Sequence, residues 1–142
     1  MNLLGRAGRL SVAEMRLLTE AVVGLVVSGV LIRFWRFRAL AAHLGRHMAE
    51  SPIDQDRAQL AVAQSIRWAI HATARRLPWR PVCLPQALTA QWMLRRRGIT
   101  STLYLGVDPG SRYDAHAWVR AGALIVTGGP RRPEFVVVST FA

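Results

Sequence analysis

Lysine is absent from this chain. All 19 basic residues are arginine, so no ε-amine is available for a Schiff base, for a covalently held cofactor or for the lysine of a phosphate-binding loop. Acids are scarce as well, 8 against those 19, which leaves a net charge of +11. A single cysteine cannot form an internal disulfide; nothing asks for an oxidising compartment, and cytoplasmic residence is expected. No Gly-x-Ser-x-Gly turn marks a serine hydrolase. The longest apolar run, Ala21 to Ile32, holds twelve residues, short of the ~20 that span a bilayer. It begins well inside the chain with no small-residue cleavage site after it, so no signal peptide is expected. A buried helix, or one that touches a membrane surface or a partner, fits the run better.

The charge invites a nucleic-acid reading, but the arginines are scattered from Arg6 to Arg132 with no reading motif and no strand of stacking aromatics. An anionic peptide or headgroup partner is the expectation instead. His43 and His47 lie one helical turn apart, yet Leu44, Gly45 and Arg46 separate them where a zinc hydrolase places a glutamate beside the first histidine. They read as surface histidines, and no metal and no cofactor is expected.

At 142 residues and 51 % hydrophobic the chain is expected to form one domain, a helical segment over 1–50 followed by a core over 51–142. Residues 11–44 read as helix, opened by a capping box of Ser11 and Glu14. A second helix is expected over 54–77, capped by Ser51 or Asp54 with Pro52 near its start and stopped by Pro78. After Gly98 the period changes from helical to two, and 100–107, 115–120, 123–127 and 135–140 read as short strands. Asp108-Pro109-Gly110 and Ala121-Gly122 are turn signals. Helices first and an antiparallel sheet afterwards make an α+β fold.

Chemistry gathers at 78–98, PWRPVCLPQALTAQWMLRRRG. Leu84, Leu88, Gln91 and Trp92 follow helical spacing, Pro85 fits a first turn, and Arg95 to Arg97 with Gly98 form a stop. Cys83 therefore falls at the helix start, where unpaired N–H groups and the positive end of the macrodipole favour a thiolate, with Arg80 close by. His116 follows within YDAHAWVR, which alternates like a strand. A thiolate with an imidazole on a neighbouring strand is the minimum apparatus for acyl transfer through a thioester. A lone cysteine can equally be a small buried apolar residue.

The run CLPQALTAQWMLRRRGITSTLYLGV, followed by AHAWV and preceded by LLTEAVVGLVV and RFRALAAHLG, resembles the leader peptidases of lasso-peptide maturation, stand-alone B-type proteins with a transglutaminase-like, papain-related core. The resemblance implies that Cys83 is the nucleophile and His116 the general base of a cysteine peptidase that removes the leader from a ribosomally made precursor. It also implies a separate leader-recognition protein and an ATP-dependent cyclase as partners; no nucleic-acid partner is expected, from the scatter of the arginines. Acyl transfer to an amine by the same pair, or a catalytically weak binding subunit of the maturation complex, are the rival readings.

The chain departs from the family in one respect. The third catalytic member implied by the resemblance is an aspartate soon after the histidine, and residues 121–133 contain no carboxylate. Asp114, two residues before His116 and on the same strand face, is the candidate that could orient the ring. Glu134 and a backbone carbonyl are the alternatives.

Overall fold

A computed structural model of the chain describes residues 9–110, 114–130 and 135–142. Four helices precede four strands: α1 (Val12–Phe34), α2 (Phe37–Ala41), α3 (Arg57–Arg76), α4 (Cys83–Arg95), β1 (Thr102–Val107), β2 (Ala115–Ala121), β3 (Leu124–Thr127) and β4 (Val136–Phe141). The strands form one antiparallel sheet in the order β3-β2-β1-β4. The fold is α+β, as the change of period at Gly98 predicts.

The capping box at Ser11 forms: its hydroxyl accepts from the Glu14 N–H at 3.1 Å, and its own N–H donates to the Glu14 carboxylate at 2.8 Å. The helix ends earlier than the sequence suggests. Trp35 and Arg36 are extended, so 11–44 is not one helix but α1, a break, and the short α2. The break redirects the chain so that Phe37 meets Phe141 edge-on at 6.5 Å and Leu40 and Leu44 enter the core. Only Ala21, Gly24, Leu25 and Ser28 of α1 are buried, a narrow stripe at helical spacing that packs on α3 and α4. Contact there is close, because a Cβ on Gly24 would stand 2.5 Å from Cγ2 of Thr89. Thr89 donates its one hydroxyl proton to the Pro85 carbonyl, so Ser28 is the donor in the 3.3 Å bond between the two hydroxyls.

The cap of α3 is Asp56, whose carboxylate accepts from the Ala58 N–H at 3.3 Å, and neither Ser51 nor Asp54 caps the helix. Ser51 is drawn off to the sheet, where its N–H and hydroxyl both bond Oγ1 of Thr102. Leu77 is extended, as the residue before Pro78 must be, and closes α3. At the far end of α4, Gly98 takes φ +68°, and the Gly98 and Ile99 N–H groups return to the Arg95 and Leu94 carbonyls in a Schellman stop.

The sheet has two dressed faces. Leu103, Ala117, Val119, Ala121, Val126 and Phe141 join the core beneath α3 and α4. Tyr104, Trp118 and Phe135 cluster separately, with Tyr104 and Trp118 stacked at 5.3 Å. Arg120 pins the linker before α3 to this second face: it donates to the Tyr104 hydroxyl at 2.9 Å and to the Ser51 carbonyl at 2.8 Å. Residues 46–48 run along the last strand, with the Arg46 N–H on the Ala142 carbonyl and the Met48 N–H on the Thr140 carbonyl, both at 2.7 Å.

Candidate active site

Cys83 is the first residue of α4, with Val82 as the cap. Its N–H and that of Leu84 have no acceptor within the helix; Pro85 carries no N–H, and the Gln86 N–H is the first to turn back, to the Val82 carbonyl at 3.4 Å. The loop before it carries Pro78 and Pro81 and holds Arg80 at φ +42°, a left-handed conformation unusual for arginine. The Cys83 side chain is half-buried against the core between helices and sheet.

The topology brings His116 to the same end. Gln91 donates to the Phe141 and Leu44 carbonyls at 3.3 and 2.9 Å, and Phe141 pairs with Leu103, so the third turn of α4 is level with the start of β1. After the short loop 96–101, β1 runs back along α4. Three residues of strand cover ~10 Å and eight residues of helix ~12 Å. Gly106 thus comes level with the first turn of α4, and Gly106 pairs with His116.

The His116 ring is buried, with Trp118 stacked at 5.8 Å and Phe135 at 5.0 Å. Its Nε2 lies 2.7 Å from the Gly128 carbonyl. A carbonyl only accepts, so Nε2 carries the proton and Nδ1 of the neutral ring carries the lone pair. Gly128, just past β3, has φ +74°, and a Cβ there would stand 2.5 Å from the Ala117 carbonyl oxygen and 3.0 Å from Nε2. Only glycine brings its carbonyl to this ring.

Cys83 and His116 share one end of the layer but not a hydrogen bond: none joins Sγ to the ring among the described residues. Sγ faces the helix side and the ring belongs to the aromatic side of the sheet. Asp114 lies one residue ahead of β2, not within it, and its carbonyl accepts from the Asp108 N–H at 3.0 Å to close the loop between β1 and β2. Tyr113 and Glu134 lie outside the described residues. Gly128, Trp118 and Phe135 escape sequence reasoning. The only available signal was the Gly128-Gly129-Pro130 run, which reads simply as a turn.

Beside the cysteine loop is a cleft of about 610 Å³ lined by His71, Ala74, Arg75, Arg80, Pro81 and Gln86. Burial, followed by the charges of Arg67 and Arg75, holds the His71 pKa below its ordinary 6.5. Arg75 and Arg80 make the cleft cationic, and no acid occurs in the sequence between Arg57 and Val107. Among the described residues no three His, Cys, Asp or Glu side chains gather as metal ligands.

The transglutaminase-like superfamily matches residues 25–140, a stretch that holds both Cys83 and His116. The chain belongs to the transglutaminase-like superfamily. Its enzymes usually depend on a cysteine, and the activity that goes with this membership is of the cysteine-protease or acyltransferase type. No curated protein and no solved structure matches the chain.

Proposed function

We propose that the chain is a cysteine peptidase that cleaves the leader from a lasso-peptide precursor. The observation that carries this reading is a cysteine opening α4, with a carbonyl-held imidazole at the same end of the sheet, in a transglutaminase-like domain. In the proposed reaction Nδ1 of His116 takes the Sγ proton, the thiolate of Cys83 attacks the scissile carbonyl, and the imidazolium returns the proton to the departing amine. Water then hydrolyses the thioester. The Cys83 N–H at the helix start is one donor to the oxyanion. Orientation of the ring falls to the Gly128 carbonyl, taking the role expected of Asp114. In this reading the start of β2 must turn the ring toward the helix side before it can take the Sγ proton, since Trp118 and Phe135 hold it on the other face of the sheet.

The arginine-lined cleft beside Cys83 suits an acidic stretch of precursor. The leader-recognition protein and the ATP-dependent cyclase act as separate partners in this reading, in the cytoplasm. The separation of Sγ from the ring favours one rival, a binding subunit with little activity of its own.

The test is to incubate the precursor and recognition protein with the chain and weigh the products. Hydrolysis adds one water across the cleaved bond, whereas transfer leaves an acyl adduct on an amine. Cys83→Ala and His116→Ala should each abolish cleavage in folded protein. Cleavage by folded Cys83→Ala would refute the peptidase reading, and leader binding without any cleavage by the parent would favour the binding subunit.

A further inference from the structure

Helix α1 is apolar enough along its length to cross a membrane, yet only 22 % of its most apolar stretch is buried inside the protein. Its hydrophobicity is therefore not spent on the core. The buried stripe of Ala21, Gly24, Leu25 and Ser28 occupies one side, and the other side presents Val22, Val23, Val26, Val27, Val30 and Phe34 at 39–75 % exposure. A patch of this kind on a soluble face marks an interaction surface.

We propose that this outer face lies on an anionic membrane surface with α1 parallel to the bilayer plane. A spanning orientation conflicts with the inner side. Gly24 sits against Thr89, Ser28 donates to it, and Glu20 is paired with Arg97 at 2.6 Å and Arg96 at 3.2 Å. Insertion would strip all of these contacts. Lying flat keeps them and buries the valines to the depth of the headgroup boundary.

The charge pattern selects the occupant. Beyond the valines the chain turns through Phe34, Trp35 and Phe37, all exposed, among Arg33, Arg36 and Arg38. Aromatic rings and arginines together suit the boundary between acyl chains and headgroups. No acid occurs from Ala21 to Ala49, whereas Arg33, Arg36, Arg38 and Arg46 do. A second copy laid on this face would offer those arginines little: Glu14 closes the cap of α1 and Glu20 is held by Arg96 and Arg97. Anionic lipid supplies the missing charge.

The experiment is co-sedimentation of the full chain with vesicles of phosphatidylcholine, with and without phosphatidylglycerol. Binding is expected only to the anionic vesicles and should be reversed by 1 M salt, where screening shrinks to about 3 Å. Each arginine near such a surface is worth roughly fivefold in partitioning, so Arg33→Gln with Arg36→Gln should weaken binding about thirtyfold. Val26→Gln with Val30→Gln should weaken it at least tenfold, with circular dichroism confirming that each variant folds. The proposal is overturned if the parent ignores anionic vesicles, binds neutral ones equally, or resists salt and needs detergent for release as a spanning helix does. It is also overturned if the valine pair instead abolishes a concentration-dependent dimer in solution, which would identify a second copy as the occupant.

Discussion

Replacing Gly128 by alanine strikes the ring-holding carbonyl directly. At φ +74° a Cβ costs about 1–2 kcal/mol from the left-handed conformation alone. The methyl would also stand 2.5 Å from the Ala117 oxygen and 2.8 Å from Cβ of Trp118. Neither atom can easily swing away, since both are fixed to the backbone of β2, where Ala117 and Trp118 pair with Leu105 and Tyr104 of β1. Overpacking of this kind adds about 1–3 kcal/mol. The sum, ~2–5 kcal/mol, converts at roughly 0.3 kcal/mol per degree for a chain of this length into a fall in Tm of about 7–17 °C. Gly98→Ala isolates the conformational part, because Gly98 has φ +68° with nothing within 4 Å of its would-be Cβ; its Tm should fall by only about 3–7 °C. Calorimetry gives both numbers. Nitrogen NMR on labelled histidine reads the tautomer directly: the parent should show His116 protonated at Nε2, and Gly128→Ala should lose that signature. Equal melting of the two variants, with the Nε2 proton retained in both, would refute the reasoning about this contact.

Asp114→Asn should leave any cleavage rate within about threefold, less than ~1 kcal/mol in the barrier, if the Gly128 carbonyl that holds Nε2 suffices to orient the ring; a loss of a hundredfold would keep the aspartate in the catalytic set. As the only cysteine, Cys83 can be followed by mass during alkylation with iodoacetamide, and in the proposed pairing His116→Ala should slow the reaction by removing the base that takes the Sγ proton. An unchanged rate would separate the two groups functionally. Stability should also fall with acid in two stages. His71, kept below 6.5 by burial and by Arg67 and Arg75, takes up its proton more readily when unfolded, so stability is full above 6.5 and declines as pH drops through the lowered folded value. Glu20, held below 4.5 chiefly by its hydrogen bond with Arg97, contributes stability above 4.5 that is lost as pH falls further. Denaturant titrations across pH should show His71→Gln removing the upper stage and Glu20→Gln the lower.

The legible parts of this chain are those whose cause is local. Ser11 with Glu14, Gly98 after three arginines, and Asp108-Pro109-Gly110, where the Gly110 N–H reaches the Asp108 side chain at 2.8 Å, each specify their conformation within a few residues. Cys83 at the start of α4 follows from the same kind of signal. What escaped depends on partners far along the chain. Gln91 is buried because the Leu44 and Phe141 carbonyls need a donor, and Trp92 stays outside under the Arg96 guanidinium at 5.1 Å. Ser51 looked like a cap until Thr102 claimed it. The ring-holding group was hidden more deeply, since a main-chain carbonyl leaves no side chain to read.

The pairing of residues 46–48 with 140–142 bears on the order in which the domain can assemble. Synthesis delivers α1, α2 and the segment after them first, but the edge against which that segment lies is made more than ninety residues later. Local helices can form as they emerge, whereas this closure must wait for a contact of very long sequence separation, the kind that slows folding. Until β4 arrives, Phe37 and Leu44 lack the Phe141 side of their packing, and the valines of α1 stand beside an unfinished core. The interval between synthesis of the first helix and arrival of the last strand is therefore when this chain is most open to capture by a lipid surface or a chaperone.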